Sequence, residues 1–368
     1  MKRSLVAVAA CTAATWACAQ SSVTVFGVVD ADITHTTGDG PTSTSKWQLG
    51  NSGNSFSRLG FRGTEDLGGG LSAGFWLEAG LQNDTGLGLP SNSNNQTSGA
   101  GTPNAISFNR RSTVSLSGGF GELRLGRDYV PTFWSTALFD PFGTGGGIGA
   151  NQLYFSGFGG LAAPTGTRAS NSVGYFLPPN LGGFYGQAMV ATGENASNSV
   201  LPGPLPIPNR SDGNYIGLRV GYLNGPLNVA FATGRTRYAT GDLHVANLAA
   251  SYTFETLMSL KLMGEYYTES LGAVDGKGAL LGLNLPVGVG EIKASYAFYR
   301  REPAGPVPKP TTSKFALGYV HNLSRRTALY ATVAIIANHN GATQALSGST
   351  TEPNRRSTGT EFGIRHAF

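Results

Sequence analysis

Few residues in this chain are spaced for covalent chemistry. Asp30 and Asp32 would share one face of an extended segment, the geometry in which one carboxyl holds a proton while its neighbour stays ionised. Glu65 and Asp66 form a second pair. Neither pair comes with a sign of a buried pocket, so an ion pair with arginine is the expected role, for Asp30 and Asp32 above all. The five histidines, His35, His244, His321, His339 and His366, lack metal-ligand spacing, and no metal or cofactor is expected. TGGGIGAN is glycine-rich but lacks the Lys-Ser/Thr of a phosphate loop. His366 has no nucleophile motif near it, so no catalytic residues are assigned. What remains is a set of arginines: Arg58, Arg62, Arg110, Arg111, Arg124 and Arg219. Their chemistry is electrostatic. Fixed guanidinium charges attract anions wherever low-dielectric walls focus their field.

The elements that must position these arginines read as strands. About 16 segments alternate apolar and polar residues over 8 to 13 positions each, from SVTVFGVVDADI to the final GTEFGIRHAF. Abundant glycine (54 of 368 residues) and Ser, Thr and Asn between segments favour an all-β chain with many turns. The connections differ in length by turns. One set is very short, such as EDLGGG, LNGP and PVGVG. The other is mostly long and polar, at 36–54, 83–107, 131–169, 194–213 and 338–358. That describes an up-and-down sheet of hairpins in one domain.

No run reaches the roughly 20 apolar residues of a spanning helix. The first residues, MKRSLVAVAACTAATWACAQ, join a basic end to a short apolar core and an A-x-A site. A secretory signal over 1–19, cut before Gln20, is expected, with the barrel over 20–368. Both cysteines, Cys11 and Cys18, lie in it, so the mature chain has no thiol. Losing Lys2 and Arg3 takes the formal charge from +5 to about +3. No basic block or aromatic motif points to nucleic acid.

Which face is apolar decides the setting. In EIKASYAFYR, Ile292, Ala294, Tyr296 and Phe298 oppose Glu291, Lys293, Ser295 and Tyr299. Strands of about 10 residues, about 16 of them, exceed the usual sandwich. With a signal peptide and a terminal aromatic, they fit an outer-membrane barrel, apolar outside and polar within. Tyr266, Tyr319 and Phe368 are candidates for its aromatic girdles. A charge facing mid-membrane lipid costs about 2–4 kcal/mol, so arginines on the polar face belong in the lumen. Leu59 and Phe61 outside put Arg58 and Arg62 inside. Leu123 and Leu125 do the same for Arg124, and Leu218 and Val220 for Arg219. One of the adjacent Arg110 and Arg111 points inward, and parity does not say which. A solvated wall without selectivity is the plainer alternative.

QSSVTVFGVVDADI, SRLGFRGTEDLGGGLSAGFWLE, FNRRSTVSLSGGFGELRLGRDYVP and the ending GIRHAF together resemble the general diffusion porins of Gram-negative bacteria, the beta-proteobacterial branch in particular. The resemblance implies a 16-stranded antiparallel transmembrane barrel, a homotrimer, and a third loop folded inward at about 132–168. Asp140-Pro141-Phe142-Gly143 is similar to the family's loop segment, without the acid that many relatives carry between Pro and Phe. Asp140 is then the acid at the constriction, opposite Arg58, Arg62, Arg110, Arg111 and Arg124. The expected partners are outer-membrane lipid and lipopolysaccharide, small hydrophilic solutes and ions. A modest anion preference is expected. A barrel lipase and a surface adhesin are the competing functions.

Overall fold

The computed structural model describes residues 22–102, 104–143, 145, 147–156, 158, 163–196 and 210–368. The signal segment assigned to 1–19 lies outside them. Sixteen antiparallel strands follow one another: β1 (Ser22–Gly38), β2 (in two pieces, Ser45–Asn51 and Arg58–Gly68), β3 (Leu71–Gln82), β4 (Arg111–Gly118), β5 (Gly121–Tyr129), β6 (Arg168–Phe176), β7 (Phe184–Ala191), β8 (Tyr215–Asn224), β9 (Leu227–Thr236), β10 (Leu243–Phe254), β11 (Leu260–Leu271), β12 (Val274–Val287), β13 (Gly290–Glu302), β14 (Thr311–Asn322), β15 (Thr327–His339) and β16 (Arg356–Ala367). Each pairs with its sequence neighbours, and β16 pairs back onto β1 from Val28↔Ala367 to Gly38↔Ser357. The sheet is therefore closed, and no strand edge is left without backbone partners.

β2 explains how 17 residues of β1 find a partner on their other side. Ser45–Asn51 pairs with 31–37, and Arg58–Gly68 pairs with 22–28. The interruption at 52–57 is held by Asp30, whose carboxylate accepts the Asn54 and Ser55 amides at 3.1 and 2.7 Å. Much of the stretch expected as a loop at 36–54 is thus strand.

The turns at one end of the barrel are short. At 225–226 and 288–289 they are two residues long, and Gly288 adopts φ +58, as a primed hairpin turn requires. The opposite end carries the longer connections, but two of these are also short, at 237–242 and 272–273. Outward residues are apolar and exposed, such as Val29 and Ile33, while Asp30, Asp32, Thr34 and Thr36 between them are buried. Tyr319 and Phe368 stand near the short-turn end. Tyr266 lies mid-strand on β11, not at a strand end.

The third long connection, 130–167, turns into the barrel. Val130 is extended, and Pro131 opens helix α1 (Pro131–Leu138), as its fixed φ favours. Pro141 shortly beyond cannot continue a helix. A single turn, α2 (Ala163–Gly166), precedes β6. The loop then docks on the lumenal wall of β9–β15. Phe139 packs against Ala230, Ala249 and Met263. Ile148 packs against Ala316, Ala334 and Ile336, and Leu153 against Tyr267, Leu280 and Ala297. Each such apolar side chain stabilises docking by about 1.5–3 kcal/mol.

Wall side chains also take up the loop's backbone. Glu361 accepts the Ile148 amide at 3.0 Å, Glu269 the Phe155 amide at 3.0 Å, and Asn247 donates to the Thr132 carbonyl at 2.9 Å. Lys314 donates to the Ala150 carbonyl. Part of TGGGIGAN lies here, and a Cβ at Gly147 would sit 2.1 Å from the Gly53 carbonyl oxygen. Gly147 thereby allows close packing against the β2 interruption, and Gly149 against the Phe142 ring.

Candidate pore constriction

Loop docking on β9–β15 leaves the wall of β1–β6 facing open space, and that wall carries the arginines. Register fixes three of them. Arg58 pairs with Val28 and Arg62 with Thr24, on the face that holds Asp30; Arg124 pairs with Ser115. Arg110 and Arg111 both reach the lumen, although the sequence required only one to do so. Arg111 is inward by its pairing with Glu78. Arg110 precedes β4, escapes the alternation, and places Nε 2.5 Å from Glu78 Oε1 and Nη2 2.8 Å from the Tyr129 hydroxyl. Arg168, at the start of β6, joins them by donating to the Arg110 carbonyl at 2.7 Å and to Tyr129 at 2.9 Å.

Carboxylates touch only part of this set. Glu78 holds Arg110 closely and Arg58 at 3.8 Å. Arg124 is clamped by Glu122 at 2.7 Å and Asp128 at 3.1 Å, and Asp128 lies 3.8 Å from Arg111. Aromatic rings do much of the remaining positioning. Arg62 and Arg111 stand 5.2 and 4.7 Å from the Trp76 ring, Arg110 4.9 Å from Phe56, Arg168 4.3 Å from Tyr129, and Arg219 4.8 Å from Tyr185. A ring face orients a guanidinium without cancelling its charge.

Asp30 and Asp32 do not pair with these arginines. Asp30 accepts from two amides and the Tyr330 hydroxyl, and Asp32 from Thr34. Asp140, expected opposite the arginines, is folded back into its own loop. Its Oδ1 accepts the Phe142 amide at 2.9 Å and its Oδ2 the Asn151 amide at 2.8 Å, and it is 5% exposed. Burial pushes its carboxyl up to about 6, against those two amides and the positive charges of Lys314 and Lys293.

The result is an asymmetric opening. A cavity of about 570 Å³ has Arg58, Arg110, Arg111 and Arg168 with Glu78 on the wall side, and Phe133, Trp134, Ala137 and Phe142 on the loop side. A second cavity of about 330 Å³, lined by Arg62, Arg111, Arg124 and Glu122, continues towards the short-turn end. Sequence reading undervalued Glu122, Asp128 and Tyr129. Glu122 was findable, since it lies two residues from Arg124 on the same face. Past the register shift at Gly126/Asp128 the alternation no longer sorts the faces.

A closed barrel with a lipid-compatible exterior, a charged interior and a loop narrowing it is an outer-membrane channel for passive passage of small hydrophilic solutes and ions. Comparison with known proteins agrees. A profile of the Gram-negative porins matches residues 5–341, and the chain belongs to that family. It is 39% identical to outer membrane porin protein 32 of Delftia acidovorans, over 100% of both chains. An outer membrane porin protein of Bordetella pertussis is 28% identical over 95% of each. Among solved structures, an anion-selective porin from Comamonas acidovorans superposes with a TM-score of 0.79 at 37% identity, covering 95% of this chain and 100% of that one. OmpT of Vibrio cholerae, 13% identical with a TM-score of 0.62 over 95% of this chain and 99% of its own, shares the fold.

Proposed function

We propose that this porin prefers anions and that Arg58, Arg62, Arg110, Arg111 and Arg124, joined by Arg168, line the path that sets the preference. The observation that carries the reading is the composition of the larger cavity: four arginines meet one carboxylate, Glu78, and the loop opposite offers rings and small residues in place of acids. Low-dielectric walls there concentrate the field of whatever charge is fixed. The Comamonas relative described as anion-selective supports the same sign. Asp140 acts in this reading as a brace of the loop and not as a counter-charge. The reversal potential of single channels in a potassium chloride gradient tests it. Anion selectivity that weakens as salt rises is the expected result, and cation selectivity at low salt would overturn it.

The protein acts as a channel and not as a catalyst. A homotrimer embedded in lipid and lipopolysaccharide is the expected assembly, supported by the resemblance and by the small outward residue Ala31 on β1. Residues 1–19 are a cleaved signal in this reading, so N-terminal sequencing of the mature protein should begin at Gln20. Long loops face outside, so Thr97→Cys should label on intact cells, while Val289→Cys in a short turn should need permeabilisation.

A further inference from the structure

The two sides of the larger cavity differ in kind. The wall side presents the guanidiniums of Arg58, Arg110, Arg111 and Arg168, and the loop side presents the rings of Phe133, Trp134 and Phe142. Three of the wall arginines have rings of their own, Phe56 under Arg110, Trp76 under Arg111 and Tyr129 under Arg168. Among the described residues no guanidinium lies over a loop ring. The loop rings are half-buried and held in place. Phe133 stacks on Tyr129 at 5.2 Å and 8°, and Trp134 stands 5.2 Å from the same ring, tilted by 56°. Phe142 fills space that two glycines leave open: a Cβ at Gly149 would lie 2.3 Å from its Cδ1, and one at Gly318 2.8 Å from its Cε1. On the wall side Arg58 has a side chain 26% exposed and its carboxylate contact is 3.8 Å long. Towards the short turns the loop rings end. The smaller cavity keeps arginines but sets the hydroxyls of Thr64, Ser72, Ser115 and Ser117 among them.

We propose that the larger cavity is a binding site for aromatic carboxylates of the benzoate class, which pause there on their way through the channel. The carboxylate meets Arg58 on the wall side, and the ring lies against Phe133, Trp134 and Phe142. The volume of about 570 Å³ falls in the range of about 300–1,000 Å³ typical of small-molecule sites, where apolar rings dominate and a few polar groups fix orientation. A chloride ion uses only the arginine side. A hydrophilic acid such as gluconate has no ring to place on the loop, and a neutral aromatic gives the arginines no charge to hold. Each ring–ring contact lengthens residence by roughly two- to tenfold. Beyond the constriction the ring loses its partners, so the solute is released into a lumen that still favours its charge. The inference rests on the anion preference proposed above and adds the chemistry of the preferred anion's body.

The test uses the whole protein in planar bilayers in potassium chloride, with sodium benzoate, sodium gluconate and neutral benzamide as blockers of the chloride current. In the wild type benzoate should halve the current at a concentration at least tenfold below that of either other probe. Gluconate carries the same charge and is no smaller, so a purely steric block would favour gluconate. Benzoate no more potent than gluconate, or benzamide as potent as benzoate, would overturn the site. Phe133→Leu and Trp134→Leu keep an apolar side chain but remove the ring, and each should cut benzoate's advantage over gluconate at least threefold. An advantage that stays at the wild-type value in the variants would overturn the site too. Should one variant fail to assemble, the other decides, and the wild-type comparison needs neither. The reversal potential in a salt gradient, read in the same bilayers, reports the sign of selectivity separately. Anion selectivity without a benzoate advantage removes the site alone, and cation selectivity removes the reading beneath it.

Discussion

Glu78 Oε1 lies 2.5 Å from Arg110 Nε, both side chains are 7% exposed, and among the described residues Glu78 is the only carboxylate lining the larger cavity. Glu78 therefore sets most of the arginine charge cancelled there, with Asp128 reaching only Arg111 of the four, at 3.8 Å. Glu78→Gln keeps the shape and a hydrogen-bond acceptor but removes the charge. The reversal potential in a salt gradient should move towards more anion preference, and a shift towards cations would contradict the assignment. The cost falls on assembly, because a nearly buried ion pair loses one partner. A lower yield of folded barrel should accompany the change.

Asp140 predicts a different outcome from the one its place in the sequence suggests. Asp140→Asn removes no charge from the cavity surface, so the reversal potential should scarcely move. It does leave either the Phe142 or the Asn151 amide without an acceptor, at about 1–3 kcal/mol. Open-channel noise should rise as the loop loosens. The carboxyl also carries a pH dependence. Its value is raised in the docked loop, from 3.8 to about 6. A raised acid favours docking below its ordinary value and loses that contribution as pH rises through about 6, at most about 3 kcal/mol over the window from about 4 to 6. Lys314 and Lys293, on the same side, limit the effect. Wild-type loop noise should increase across that window, and Asp140→Asn should flatten the dependence.

The barrel was legible because a strand's period of two survives in every segment whose outer face meets lipid. Leu59 and Phe61 told where Arg58 and Arg62 point, and Leu123 and Leu125 did the same for Arg124. Legibility ended where strands end. Arg110 lies before β4, and Asp128 and Tyr129 lie past a bulge, so parity could not place them. The resemblance of Asp140-Pro141-Phe142-Gly143 to a constriction loop implies an acid facing the arginines, yet Asp140 makes the side-chain-to-amide contact typical of a turn. The wall that receives the loop is marked in the sequence by alanines. Ala230, Ala249, Ala316 and Ala334 occupy lumenal positions where polar side chains would be expected, and each makes room for a loop residue.

Phe368 closes the barrel at its last residue. Its amide and carbonyl both pair with Gly27 at 3.1 Å, and its ring lies where a Cβ at position 27 would stand, 2.4 Å from Cζ. Deleting Phe368 removes two backbone hydrogen bonds and a ring from the seam between β1 and β16. The folded fraction, read as the heat-modifiable band on a gel, should fall several-fold, while channels that do assemble keep wild-type conductance. Gly27→Leu should harm assembly in the same way, by displacing the ring. Full assembly of both variants would show that the seam closes without this contact.

Arg58 and Arg124 should separate charge from clamping. Arg58 is the freer of the two. Its side chain is 26% exposed, its one carboxylate contact is 3.8 Å long, and it stands in the larger cavity opposite the loop. Arg58→Ser should subtract nearly a full charge from the constriction and shift the reversal potential towards cations, with little loss of folded protein. Arg124 is clamped by two acids at 2.7 and 3.1 Å in the smaller cavity nearer the short turns. Arg124→Ser uncovers Glu122 and Asp128, so its shift has the same sign, but breaking the clamp should also lower the yield. The two sites share no ion-pair partner, and combining the substitutions should give close to the sum of the separate shifts. Screening over about 10 Å at 0.1 M salt means that all of these shifts should shrink as salt rises. A shift from Arg58→Ser that persists undiminished at 1 M salt would point to altered pore shape and remove its charge from the account.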